Sequence, residues 1–275
     1  MPLFINTNIN SLQAQQHLGV SKQGLADTLL RLSSGSRLNN ASDDPAGLAI
    51  SQNMQRQIGA LNQGVRNGND GVALVQTATG SMQQILSSLQ RMSTLANQAL
   101  NGTYSDTPDR DNIDKEYQAL LTQIGSITSA ANYNGVQLLD GTVASLGIQV
   151  GVGSGAGNQI SLTLANTTVA SLGLSSSGVT TAANASTAFT AIATAITTVT
   201  NGLAELGANQ SGLNAVVQAN STYSTNLTNA QSLITNADYA EESSNLAKFN
   251  VLTQAGIAML AQANSLPQMV LQLLQ

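Results

Sequence analysis

Residues 75–99 read VQTATGSMQQILSSLQRMSTLANQA, and two interleaved sevenfold series run through them. Val75, Met82, Leu89 and Ala96 form one series; Ala78, Ile85, Met92 and Ala99 form its companion. Alternating steps of three and four residues place both on one side of an α-helix, as a narrow seam of the coiled-coil kind. The other positions are mostly Gln, Ser, Thr and Asn. This stretch predicts a long helix that buries one stripe and keeps the rest wet.

The same spacing recurs on either side. Ile5, Ile9 and Leu12 precede Leu18, Leu25, Leu29 and Leu32, and a third run is Ile113, Tyr117, Leu120, Ile124 and Ile127. A fourth holds Ile192, Ile196, Val199, Leu203, Leu206, Leu213 and Val217, continuing weakly through Leu227 and Ile234. The last places Phe249, Gly256, Ala263 and Val270 at one heptad position and Leu252, Met259, Leu266 and Leu273 at the other. Asp44-Pro45 and Thr107-Pro108 each set a capping side chain before a proline suited to the first helical position. Asp238 with Glu241 has capping-box spacing. Pro267 removes one helical N–H from the last stripe and is expected to bend or weaken it locally.

Between about residues 138 and 180 the period changes to two. Leu146, Ile148 and Val150 alternate with polar or small residues, as do Ile160, Leu162 and Leu164, and the glycine-rich Gly151–Asn158 stretch joins them as a hairpin connection. Tyr133-Asn134-Gly135 and Asp140-Gly141 mark the exit from helix into turns, and residues 175–186 read as a loop. The fold class expected is mainly α: a long coiled-coil-like bundle with paired N- and C-terminal helices and one small β-hairpin element. The domain division expected is 1–43, 44–182, 183–236 and 237–275.

Composition narrows the function. The chain has 275 residues with a net charge of −5, and no Lys or Arg lies between Lys115 and Lys248, a poor basis for neutralising nucleic-acid phosphates. Charged residues are only 8%, which lowers repulsion between copies and permits self-association. With no cysteine, disulfides and thiolate metal sites are excluded. The start, MPLFIN, is not a Sec-type signal, and no apolar run has the length of a membrane span, so no membrane insertion is expected. His17 is the single histidine, which rules out a His-based zinc protease and leaves one candidate base for a serine triad; neither catalysis nor a cofactor is expected.

LSSGSRLNNASDDPAGLAI at 32–50 closely resembles the N-terminal signature of bacterial flagellins, as do FINTN at 4–8 and RNGNDG at 66–71. YNG at 133–135 and IQVG at 148–151 are similar to the family's entry into its hairpin. ADYAEESSNL at 237–246 and ANSLPQMVLQLL at 263–274 resemble the start and end of its last helix. The resemblance implies a subunit of an extracellular flagellar filament, with paired terminal helices in the inner wall and the longer helices with the hairpin in the surrounding tube. Variable outer domains, inserted after the hairpin in other members, are expected to be absent here. It further implies export, unfolded, through the flagellar type III apparatus, with an export chaperone on the C-terminal segment. Polymerisation beneath a cap protein and a hook–filament junction protein as neighbour complete the implied partners. Two other readings stay open: the hook–filament junction protein itself, and a flagellin-like surface adhesin or polysaccharide-binding protein. The latter is disfavoured because only three Phe and five Tyr are available as sugar platforms.

On this reading the terminal-helix packing residues are Leu18, Leu25, Leu29, Leu32, Phe249, Leu252, Met259, Ala263, Leu266, Val270 and Leu273. A lone pair of such helices orders roughly 70 residues against one narrow stripe each, and backbone entropy makes that marginal. The ends are therefore expected to become rigid only when neighbouring copies cover them. Asp43, Asp44 and Pro45 are assigned to helix capping at the domain junction, in preference to a cation site beside Arg37. The acidic residues Asp106, Asp109, Asp111, Asp114 and Glu116 lack EF-hand spacing and suit a helix first turn. Gln90, Arg91 and Leu95, with Glu116, resemble the flagellin patch recognised by toll-like receptor 5; an ordinary packing face between subunits is the other reading.

Overall fold

The computed structural model describes residues 7–273, with side chains through Ser265. Five helices make up most of it: α1 (Ile9–Ser34), α2 (Pro45–Ala99), α3 (Asp111–Ala130), α4 (Ala182–Thr235) and α5 (Tyr239–Leu273). Four short strands lie between α3 and α4: β1 (Asn132–Tyr133), β2 (Val136–Gln137), β3 (Ser145–Gln149) and β4 (Gln159–Thr163). The chain divides into two compact units, Met1–Arg56 with Asn226–Gln275, and Gln57–Thr225. This is the mainly α architecture that the periodicity predicts, with the terminal helices paired as the resemblance implies.

The core of the second unit is the seam of α2. All eight residues of its two sevenfold series are sealed from solvent, each at 0% exposure. Opposite them, α4 buries Ala185, Ile192, Val199, Leu206 and Leu213 in one series and Ala188, Ala195 and Gly202 in the other. The two helices run antiparallel: Gly68 meets Val217, Gly71 meets Leu213, and Gly202 receives the end of Met82. From α3 come Ile113, Tyr117, Leu121 and Ile124. Leu120 and Ile127, expected on that stripe, are only partly buried.

Two boundaries differ from expectation. The stretch 175–186 is loop only as far as Thr181, and α4 begins at Ala182. There the Asn184 N–H donates to Thr181 Oγ1 at 3.1 Å, an N-cap. Ala185 and Ala188 carry the seam down to this first turn; alanine weighs little in a hydrophobicity reading yet fills a seam well. Before α3, Thr107 has extended backbone (φ −129°, ψ 124°) and does not cap the helix. Asp109 does the local work, its Oδ2 accepting from Ser105 N at 3.0 Å and Ser105 Oγ at 2.9 Å.

The strands form two antiparallel ribbons. β1 and β2 turn through Asn134 (φ 50°) and Gly135 (φ 81°), both left-handed, the pairing a type I′ two-residue loop requires. β3 and β4 pair Leu146 with Leu162 and Ile148 with Ile160, so the apolar alternation shares one face. At the tip, Val150 N and Gly151 N both donate to Asn158 O at 2.9 Å. The hairpin is pinned to the helices by two asparagine amides: Asn67 Nδ2 donates to Gln149 O, and Asn220 Nδ2 to Val150 O, each at 2.8 Å. Gly64 makes this possible, because a Cβ there would sit 2.1 Å from Val150 O.

The connection from β4 to α4 closes the core. Leu164, Leu172, Leu174 and Val179 are buried along it. Thr167, wholly buried, donates its N–H to Leu139 O at 2.9 Å and accepts Thr128 Oγ1 on its own carbonyl at 3.2 Å. Val179 N donates to Asp114 Oδ1 at 2.8 Å, and the Tyr117 hydroxyl bonds Ser177 Oγ. Between Thr163 and Ala182 there is room for this short plug and no inserted domain.

Candidate assembly surface

In the first unit α1 and α5 pack as an antiparallel pair. Going up α1, Asn8 Nδ2 donates to Ala263 O at 2.8 Å, Leu18 fills the space over Gly256, and Gly24 receives the Phe249 ring. Near the end of α1, Arg31 pairs with Glu242 at 3.3 Å, and the Tyr239 hydroxyl donates to Leu32 O at 3.1 Å. Arg31 lies in the last turn of α1 and Glu242 in the first turn of α5, the arrangement each helix dipole favours. Two glycines, each set against a large apolar side chain of the other helix, bring the backbones close.

The inner stripe of α1 is Ser11, Leu18, Leu25 and Leu32 with Ala14, Ser21 and Thr28. That of α5 is Phe249, Gly256 and Ala263 with Leu246, Thr253 and Leu260. Leu18, Leu25, Leu32, Phe249 and Ala263 therefore lie on the packed face. Leu29, Leu252 and Met259 do not: they are 49%, 43% and 63% exposed. The series Phe249–Gly256–Ala263 has two possible companions, one at 252 and 259 and one at 253 and 260. Hydrophobicity favours the first, but the close glycine contacts rotate each helix to bury the second. The side chains of Leu266, Val270 and Leu273, and the residue Ile5, lie outside the described part. α5 continues as helix through Pro267 to Leu273.

The rotation leaves apolar side chains outside. Ile9, Leu12, Val20, Leu29 and Leu30 on α1 and Val251, Leu252, Ile257 and Met259 on α5 are all between 43% and 66% exposed. Near the Asn8–Ala263 contact a cavity of about 410 Å³ opens, lined by Asn10, Gln13, Ala14, His17, Met259 and Ala263. So many exposed apolar groups on two adjoining helices make this pair a candidate interaction surface.

The chain crossing at the base of this pair is densely hydrogen-bonded. Gly35 ends α1 in the left-handed region (φ 68°), its N–H on Arg31 O at 2.9 Å. Ser36 bridges Asn236, Arg37 N donates to Thr235 O at 2.7 Å, and the Arg37 guanidinium covers Ile234 O at 2.9 and 3.3 Å. Arg37 thus caps the C-terminal carbonyls of α4, a role its sequence position does not announce. Asp44 Oδ1 accepts from Gly47 N at 2.9 Å with Pro45 as the first residue of α2. Asp43 serves the preceding turn instead, its Oδ2 accepting from Asn40 N and Asn39 N at 2.9 and 3.0 Å. Those two bonds, from Asn40 first and then Asn39, hold its carboxyl below the usual value.

The remaining candidates separate. Arg91 reaches Glu116 Oε1 through Nε at 2.8 Å and through its terminal nitrogen at 2.7 Å, and Gln90 is exposed beside it. Leu95 is 2% exposed and belongs to the core, so the surface patch consists of Gln90, Arg91 and Glu116 without it. Four of the acidic residues have individual partners: Asp106 takes Arg110, Asp109 takes Ser105, Asp114 takes Val179 N and Glu116 takes Arg91. Among the described residues no group of three or more His, Cys, Asp or Glu is placed to hold a metal ion.

Comparison with known proteins agrees with this geometry. Residues 5–144 match the bacterial flagellin N-terminal helical region, and residues 189–274 match the bacterial flagellin C-terminal helical region. The flagellin of Halalkalibacterium halodurans is 38% identical over 273 residues, covering 99% of this chain and 100% of that protein. The flagellin of Bacillus subtilis is 35% identical over 302 residues, covering 98% and 99%. Among solved structures, Bacillus cereus flagellin superposes with a TM-score of 0.50 at 30% identity, covering 56% of this chain and 88% of that one. A putative flagellar hook-associated protein from Vibrio parahaemolyticus shares the fold at 17% identity, with a TM-score of 0.57 over 70% of this chain and 99% of that one. With both terminal regions matched and full-length flagellins this similar, the chain belongs to the bacterial flagellin family.

Proposed function

We infer that this chain is the structural subunit of a bacterial flagellar filament and that it polymerises through the exposed apolar side chains of α1 and α5. The single observation that carries the mechanism is the two-sided character of that helix pair. Its inner face is already filled by Gly24–Phe249 and Leu18–Gly256, while apolar side chains around the rest of the pair, Leu29, Leu252 and Met259 included, stay exposed. A neighbouring copy is the natural cover, since burial of apolar surface drives association and the chain as a whole carries few charges.

On the same reading residues 1–43 and 237–275 line the inner wall, and residues 44–182 and 183–236 build the tube around it. The subunit leaves the cell unfolded through the flagellar type III apparatus, with a chaperone on its C-terminal segment, and joins the filament between junction protein and cap. The absence of cysteine supports passage as an extended chain that needs no oxidative step outside. Among the described residues no helix is long and apolar enough to cross a membrane. The junction-protein reading is less favoured because the near-full-length relatives are flagellins.

Seeded growth tests the proposal. Purified monomer is mixed with short filament fragments and followed by electron microscopy, beside a chain lacking residues 246–275. Long uniform tubes from the intact chain alone are expected. Failure of the intact chain, in conditions where another flagellin grows, overturns the reading.

A further inference from the structure

The sequence contains four Asn-Gly pairs: Asn67-Gly68, Asn101-Gly102, Asn134-Gly135 and Asn201-Gly202. Such a pair can convert without an enzyme. The glycine nitrogen, having lost its proton, attacks the asparagine Cγ, the Cγ–Nδ2 bond breaks, and ammonia departs. Water then opens the cyclic imide at either carbonyl, leaving aspartate or its isomer with the backbone routed through the side chain. The attack needs a glycine N–H that is not held in a hydrogen bond and an asparagine free to swing toward it.

We propose that Asn134 is the preferred site of this conversion in the folded chain. Asn67 and Asn201 lie within α2 and α4, where the next residue's N–H belongs to the helical ladder, and Gly68 and Gly202 are buried. The Asn67 amide is also committed, donating to Gln149 O and accepting from Gln63 Nε2, each at 2.8 Å. Asn101 is exposed in a turn, but its Oδ1 accepts from Thr103 N at 3.1 Å and its carbonyl from Tyr104 N and Arg110. Asn134 differs from all three. It is exposed, left-handed at φ 50°, and opens a two-residue loop whose inner N–H groups stand outside the β1–β2 ladder.

The conversion is consequential at this position. Asn134 lines a cavity of about 530 Å³ with Asp70, Leu74, Tyr133, Val136 and Ile148. A carboxylate there joins Asp70 on an otherwise apolar wall. The isomer also adds one backbone carbon to a loop whose length fixes the pairing of Asn132 with Gln137 and of Tyr133 with Val136.

The test keeps full-length chain at mildly alkaline pH and samples it over time, folded and in urea. Peptide mapping reports amide loss at each pair, and isoaspartyl methyltransferase labelling reports the isomer. In the folded chain Asn134 is expected to lead Asn101, and to outpace Asn67 and Asn201 by about tenfold or more, because those helices must open first. In urea the four rates are expected to converge. Conversion at Asn134 no faster than at Asn201 in the folded chain, or Asn101 leading, overturns the proposal.

Discussion

Phe249 of α5 lies directly over Gly24 of α1: a Cβ built on Gly24 would come within 2.6 Å of the ring carbons Cε1 and Cζ. The aromatic ring therefore occupies the place of a side chain on the facing helix. Gly24→Ala gains helix propensity of about 1 kcal/mol, but overpacking the ring costs about 1–3 kcal/mol. Gly19 on the same helix has nothing within 4 Å of its Cβ position, so Gly19→Ala keeps the gain alone. Hydrogen exchange across α1 and α5 is expected to speed up in Gly24→Ala and slow in Gly19→Ala. Equal behaviour of the two variants removes the ring-over-glycine contact as a determinant of the pair.

Met259 and Thr253 separate assembly from folding. Met259 is exposed and Thr253 belongs to the inner stripe, although the methionine is the more apolar. Met259→Asp is expected to change monomer stability by no more than about 0.5 kcal/mol while abolishing growth from seeds. Thr253→Asp places a charge between the helices and harms both. Normal filaments from Met259→Asp would sink the exposed apolar side chains of α5 as the contact surface.

The contrast between those residues also shows how far the sequence could be read. Where hydrophobic spacing and burial coincide, as at Val75, Met82, Ile85 and Leu89, periodicity located the core outright. In α1 and α5 it located the helices but not their rotation, because apolar residues lie on more than one face and small residues share the inner one. Ser11, Ala14, Thr28 and Gly256 give no hydrophobic signal; only their sevenfold spacing with Leu18, Ser21 and Phe249 does. Leu95 failed for the opposite reason. It shares a helix side with Arg91, yet the arginine's length reaches the surface while leucine stays in the core. Capping in trans by Arg37 joins residues about two hundred apart and has no local signature at all.

Arg110 is a buried charge that the sequence left unmarked. At 5% exposure it donates through Nε to Ala99 O at 2.7 Å, through Nη2 to Asn101 O at 3.0 Å and through Nη1 to Asp106 at 2.7 Å. It caps the end of α2 and fixes the turn into α3. Lysine cannot span both carbonyls and the carboxylate with a single ammonium. Arg110→Lys is expected to cost about 1–3 kcal/mol, the penalty for a buried acceptor left unpaired, measured by urea unfolding. A change below about 0.5 kcal/mol, the level of an ordinary surface substitution, would mean water replaces the guanidinium at no cost.

Titration should destabilise the chain from both sides. Asp43 is held low by Asn40 N–H and then Asn39 N–H, Asp109 by Ser105 N–H and then its hydroxyl, and Asp140 by Thr142 N–H and then its hydroxyl. Each stabilises the fold above the ordinary aspartate value of 3.8 and loses that contribution as pH falls through its lower folded value. Tyr117 behaves oppositely. Burial raises its hydroxyl above the ordinary 10.0, with Asp114 adding to the rise and the Ser177 hydrogen bond opposing it. Its contribution is complete below 10 and disappears as pH climbs through the raised value. Tyr117→Phe is therefore expected to lose about 0.5–1.5 kcal/mol at neutral pH with the Ser177 bond, yet to unfold less steeply in alkali. Unfolding midpoints of both chains measured between neutrality and strong alkali decide it. Parallel curves would mean that the phenol ionises without opening the core that Tyr117 shares with Ile113 and Ile124.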